Sequence, residues 1–222
     1  MWVAVLAFAA APAAAHDFWI RPGAFRVQPN EVLRIHLRVG HAFAGDPVAR
    51  DPDRIRRFTV RGPGGAEMRI AGRRGESPAG WVRLAEPGIH VIAHRTQRWV
   101  SSLEPARFEY YLREEGLEHI ISARSEKGED AAPGREWYSR CAKSIVVVEG
   151  GDPAAYQSGF DRAFGMGLEM IPETNPATLI PGAKFSLRLL FEGRPIAGVL
   201  IRATTKNLPM PRSPRGPMRS AA

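Results

Sequence analysis

Residues 31–43, EVLRIHLRVGHAF, alternate strictly. Leu33, Ile35, Leu37 and Val39 fall on one side, and Arg34, His36 and Arg38 on the other. Successive side chains of a strand point to opposite faces, so this period marks a half-buried β-strand. IRRFTVRG, residues 55–62, reads the same way and runs into the turn GPGG. Residues 80–100 hold two strands split by the turn Glu86-Pro87-Gly88. In the second of these, Ile89, Val91 and Ala93 alternate with His90, Ile92 and His94.

The period then changes. LEPARFEYYLREEG sets Phe108, Tyr111, Leu112 and Glu115 at helical spacing, enters through Glu104-Pro105 and stops at Gly116. This predicts a helix over 104–115, and LEHIISARSEKG predicts another over 117–126. WYSRCAKSIVVVEG returns to a β-branched strand and closes a first β-rich unit near Gly150. GGDPAAYQSGFDRAFGMG has the composition of a linker. A second strand set follows in LEMIPE, KFSLRLLFEG and RPIAGVLIRATT, fewer strands than the roughly seven a sandwich wants. The final NLPMPRSPRGPMRSAA has no periodicity and is expected to be disordered. The composition break near Lys206 is of the kind a frameshift leaves.

The first fifteen residues, MWVAVLAFAAAPAAA, are an apolar run followed by small residues, as in a secretory signal peptide. No later stretch is long and apolar enough to be a membrane helix. The expected organisation is a signal peptide over 1–15, a β domain over 16–150, a linker over 151–165, a partial second β domain over 166–205 and a tail over 206–222. The mature protein is expected in the periplasm or secreted.

Composition narrows the chemistry. Cys141 is the single cysteine, so the fold must rest on core packing without an internal disulfide. The net charge of +8 comes from arginine, since only four residues are lysine. Neither a nucleic-acid motif nor a basic helix accompanies it, which reads as a solvated arginine-rich surface. There is no HExxH, no phosphate loop, no nucleophile elbow and no pair of catalytic carboxylates. An enzyme is therefore not expected.

Histidine at the cleavage site carries the main functional signal. Cutting after Ala15, with Ala13 at minus three, makes His16 the first mature residue. Its amine and ring Nδ1 then form one chelate, and a second histidine would complete a nitrogen set suited to Cu(II) or Ni(II). Cutting after Ala13 leaves Ala14-Ala15-His16, where amine, two amides and imidazole can form a square plane. The alternative is a mobile end residue without a role. His41 is the best second ligand, because it ends the alternating strand just after Gly40, where the chain can fold back over the N-terminal segment. His36 and His119 read as surface groups. His90 and His94 share a strand face about 13 Å apart, too far to bind one ion together, and read as structural. Cys141 reads as an inert thiol unless the fold brings it to the histidines.

HDFWI at the mature start, LRVGHAFAGDPVARDPDRIRRF, FEYYLREEGLEHII, PGREWYSRCAKSIV and SLRLLFEGRPIAG, in this order, resemble the NikM-like periplasmic domain family, a domain of unknown function linked to nickel and cobalt uptake. The likeness runs from His16 to about Thr205. It implies a mainly β fold: an immunoglobulin-like β-sandwich with a short helical insertion, followed by an incomplete second immunoglobulin-like unit. It also implies nickel or cobalt handling beside a membrane metal transporter, with His16 and His41 as the metal ligands. Relatives continue past EGRPIAG with strands that this chain lacks. The leading expectation is a metal-binding accessory protein for nickel or cobalt uptake. A periplasmic copper carrier, an interaction module that binds no metal, and an oxidative copper enzyme are the alternatives, in that order.

Overall fold

In the computed structural model, which describes residues 17–41 and 43–204, the chain is mainly β. The strands are β1 (Asp17–Pro22), β2 (Arg26–Val27), β3 (Val32–His41), β4 (Ala44–Val48), β5 (Ile55–Arg61), β6 (Glu67–Arg69), β7 (Gly80–Arg83), β8 (Gly88–Thr96) and β9 (Trp99–Leu103). Helices α1 (Pro105–Glu114) and α2 (Glu118–Glu126) follow, then β10 (Gly134–Tyr138), β11 (Cys141–Val148), β12 (Leu168–Pro172), β13 (Leu187–Phe191) and β14 (Arg194–Pro195). The signal peptide, His16 and the tail fall outside the described residues. No helix among the described residues is long and apolar enough to cross a membrane.

Two compact units result, one of residues 101–136 and one that joins 17–100 to 137–204. The larger is a β-sandwich with the helices inserted between β9 and β10. One sheet runs β1-β3-β4, with β7 also on β3; the other runs β2-β11-β8-β5-β6. Alternation supplies the core. Ile20, Leu33, Ile35, Leu37 and Val82 of the first sheet meet Phe58, Val60, Ile92, Val146 and Val148 of the second. A buried aliphatic side chain contributes about 1.5–3 kcal/mol relative to an exposed one, so this seam dominates the fold.

The central strand β8 is covered on both faces. Its Ile92 faces the sandwich, while Ile89, Val91 and Ala93 pack against Phe164 and Met166. Phe164 lies in the stretch with linker composition, yet only 5% of it is exposed. Glu169 fastens this segment. Its carboxylate accepts from Lys143 Nζ (3.1 Å), the Phe164 amide (2.8 Å) and the Met166 amide (3.2 Å). Lys143 also donates to the Arg162 and Met170 carbonyls.

The sequence-predicted helices are present, the first one residue shorter at each end and the second one residue shorter at its start. In the helical unit Phe108 and Leu112 are buried, and Gly134 lies flat on the Phe108 ring. Two strand expectations are corrected. WYSRCAKSIVVVEG breaks at Ser139-Arg140 into β10 and β11, because the Arg140 amide turns to the Thr96 hydroxyl. Among the described residues RPIAGVLIRATT keeps strand structure only at Arg194–Pro195; the Ile196 amide still donates to the Leu189 carbonyl (3.1 Å), and Val199, Leu200 and Ile201 are exposed outside any strand. β12, β13 and β14 form a three-stranded sheet.

Candidate functional site

The inner face of the β1-β3-β4 ladder can be followed outward row by row, because directly opposed residues share a face. Ile20, Leu37 and Val48 form a row within the core. Phe18, Val39 and Asp46 form the next, where burial gives way to exposure at Asp46. His41 and Ala44 form the row after that, both exposed. On the other side of β3, Asp17 pairs with Gly40. His41 therefore ends the inner face one step beyond Asp17.

Close backbone approach sets this hairpin. Gly40 pairs with Gly45, and a Cβ on Gly40 would stand 2.1 Å from the Ala44 carbonyl oxygen. No side chain fits there, so β3 and β4 can close directly beneath His41. Phe43, in the turn, takes the left-handed φ of 58° and meets Trp19 edge-on at 5.5 Å.

The remaining histidines separate from this site. His36 is half-buried on the outer face opposite Arg21; partial burial, then Arg38, Arg21 and Arg34, pull its pKa down. His90 is buried, with Nδ1 3.3 Å from the Gly88 carbonyl and its ring edge against Gly62; burial lowers its pKa. His94 is 2% exposed between the Phe18 and Phe58 rings, each with its centroid 5.1 Å away. Among the described residues neither of its ring nitrogens has a hydrogen-bond partner. Burial, with Arg50 adding to it, lowers its pKa to about 4. His119 is exposed on α2. Cys141 is half-buried and packs on the Ile89–Val91–Ala93 side of β8, the face away from His90 and His94. The fold does not bring that thiol to the histidines.

Among the described residues no three His, Cys, Asp or Glu side chains gather closely enough to hold a metal ion. His41 and Asp46 occupy neighbouring rows of one face, and His16, next to Asp17, lies outside the described residues. Asp46 escaped sequence reasoning, since GDP reads as a turn; only the hairpin register puts it on the inner face.

The sandwich also carries an apolar groove of about 630 Å³ lined by Trp19, Phe25, Ile145, Met170, Phe185 and Leu187.

No curated protein and no solved structure matches the chain. A family model does, over residues 13–219. The chain thus belongs to the family described as "Domain of unknown function (DUF4198)".

Proposed function

We propose that this chain is an exported, periplasmic metal-binding accessory protein, a carrier rather than an enzyme, that holds Ni(II) or Co(II) for a membrane uptake system, with Cu(II) the competing ion. The ion sits between His16 and His41. The observation that carries this reading is the pairing of Asp17 with Gly40. His16 directly precedes Asp17 in the sequence and His41 directly follows Gly40, so each histidine is one residue from this paired position. Two imidazoles on one ion would supply the nitrogen ligands that Ni(II) and Cu(II) favour.

The donor set fits the metal. The His16 amine and ring nitrogen, the His41 ring nitrogen and the Asp46 carboxylate would supply three nitrogens and one oxygen. Such sets suit tetragonal Ni(II) and Cu(II), and Co(II) accepts the same atoms with added water. The close Gly40–Gly45 approach sets the hairpin at whose end His41 stands. Each nitrogen must be deprotonated to bind, so uptake weakens in acid.

Calorimetric titration of the exported protein with Ni(II), Co(II) and Cu(II), after N-terminal sequencing, tests this. His16→Ala abolishes binding, and His41→Ala weakens it by about tenfold or more, since losing a ligand costs at least as much as losing the partner that orients one. His119→Ala leaves it unchanged. Wild-type protein that takes up no ion, or a His16→Ala variant that binds equally well, overturns the reading. A second reading, an interaction module, is favoured by the apolar groove beside Trp19 and takes over in that event.

A further inference from the structure

β6 covers β5 only from Thr59 to Arg61. The Ile70 amide then donates to the Phe58 carbonyl (3.0 Å), and the chain turns away to bridge Ala71 to Trp81 in the other sheet. The Ile55–Phe58 end of β5 is left bordering a groove of about 510 Å³. Arg50, Arg56, Arg57 and Arg69 line it, with the Thr59 side chain and one carboxylate, Glu67.

That carboxylate is already saturated. Arg57 Nη1 donates to its Oε1 and Arg61 Nη2 to its Oε2, both at 2.6 Å. The side chains of Arg56 and Arg69 have no ion pair, hydrogen bond or ring contact among the described residues. Arg50 is half-buried over the Phe58 ring (5.4 Å) and donates to the carbonyls of Ala79 (2.9 Å) and Ile70 (3.2 Å); no carboxylate among the described residues pairs with it. Partial burial screens its charge less than solvent would.

We propose that this groove binds phosphate or sulfate groups, free or as esters, through Arg56 and Arg69, with Arg50 supplying a fixed positive field. Glu67 shows why the ligand is not a simple carboxylate. Two guanidinium groups exhaust a two-oxygen anion, and three cations remain. A tetrahedral oxyanion offers three or four oxygens and more negative charge, matching several guanidinium forks at once. The site belongs to the β5-β6 side of the sandwich and uses none of the residues assigned to the metal.

Titration of the whole mature protein at low ionic strength with sodium phosphate, sodium sulfate and a heparin-derived hexasaccharide tests this. At least one probe binds with a single-site isotherm. Arg56→Glu/Arg69→Glu lowers that affinity by about tenfold or more, since it replaces two charge-assisted contacts with repulsion. Arg107→Glu/Arg135→Glu, which changes net charge equally but lies in the helical unit, keeps affinity within about twofold. Arg56→Lys/Arg69→Lys falls between, because lysine keeps the charge and loses the fork. Binding of the hexasaccharide alone identifies a polymeric ester as the source; binding of the free ions identifies the inorganic anion. No binding by any probe, or equal losses in the groove and control variants, overturns the proposal.

Discussion

Acid should unfold this sandwich through His94. The ring is 2% exposed, both its nitrogens lack partners among the described residues, and burial lowers its folded pKa to about 4. An unfolded histidine titrates near about 6.5. Between those values the unfolded chain binds a proton that the folded chain refuses. Stability is therefore complete above the unfolded value and falls as pH drops toward 4. At roughly 1.4 kcal/mol per unit, this residue alone removes about 2 kcal/mol by about pH 5. His94→Phe puts a carbon ring among Phe18 and Phe58, and a cavity of about 60 Å³ beside it leaves room. A buried unpaired polar group replaced by an apolar one of similar shape costs little or stabilises. Urea unfolding at about pH 7.5 and about pH 5 measures the effect, read at constant slope. Wild type should lose about 2 kcal/mol more than His94→Phe on acidification. His90 shifts in the same direction and remains in both proteins, so the difference isolates His94. His94→Leu should behave as His94→Phe does. Equal acid losses in wild type and both variants, or a His94 ring that titrates by NMR near about 6.5, would refute the reasoning.

Three further outcomes follow from other contacts. Glu169→Gln leaves Lys143 buried without its counter-charge and turns a donor toward an amide, so urea unfolding should show a loss of about 3 kcal/mol; a loss under about 1 would contradict it. Gly134→Ala would place a Cβ 2.0 Å from the Phe108 ring, so hydrogen exchange should quicken at the Leu112 amide in α1 while β8 keeps its protection. One alanine added before a mature His16 displaces the amine yet keeps every side chain, and calorimetry should show weaker Ni(II) uptake than wild type.

The elements legible from sequence were those whose burial is one-sided. β3 alternates because its inner face alone meets the core, and α1 shows helical spacing because Phe108 and Leu112 are its only buried residues. β8 was harder. Its second face is covered by Phe164 and Met166, which lie some seventy residues away in chain order, and no local pattern announces that. The break at Ser139-Arg140 depends on a hydrogen bond to Thr96, also distant in sequence. The strand expected through Thr205 stops early: after Pro195 the ladder continues only through the Ile196 amide on the Leu189 carbonyl (3.1 Å), and the exposed Val199–Ile201 run belongs to no strand. At the candidate site, His41 was legible because it ends an alternating run. Asp46 was not, because its face is set by the Gly40–Gly45 register. The isolation of His94 among aromatic rings likewise requires three strands to converge.

The central claim is a metal ion held between the first mature residue and the end of β3. Pulsed EPR of the exported protein with one equivalent of Cu(II), used as a spectroscopic probe, tests it most directly. The account predicts couplings from the remote nitrogens of two imidazoles, one lost in His41→Ala and both lost in His16→Ala. A spectrum without imidazole couplings, or one that His41→Ala leaves unchanged, would contradict it.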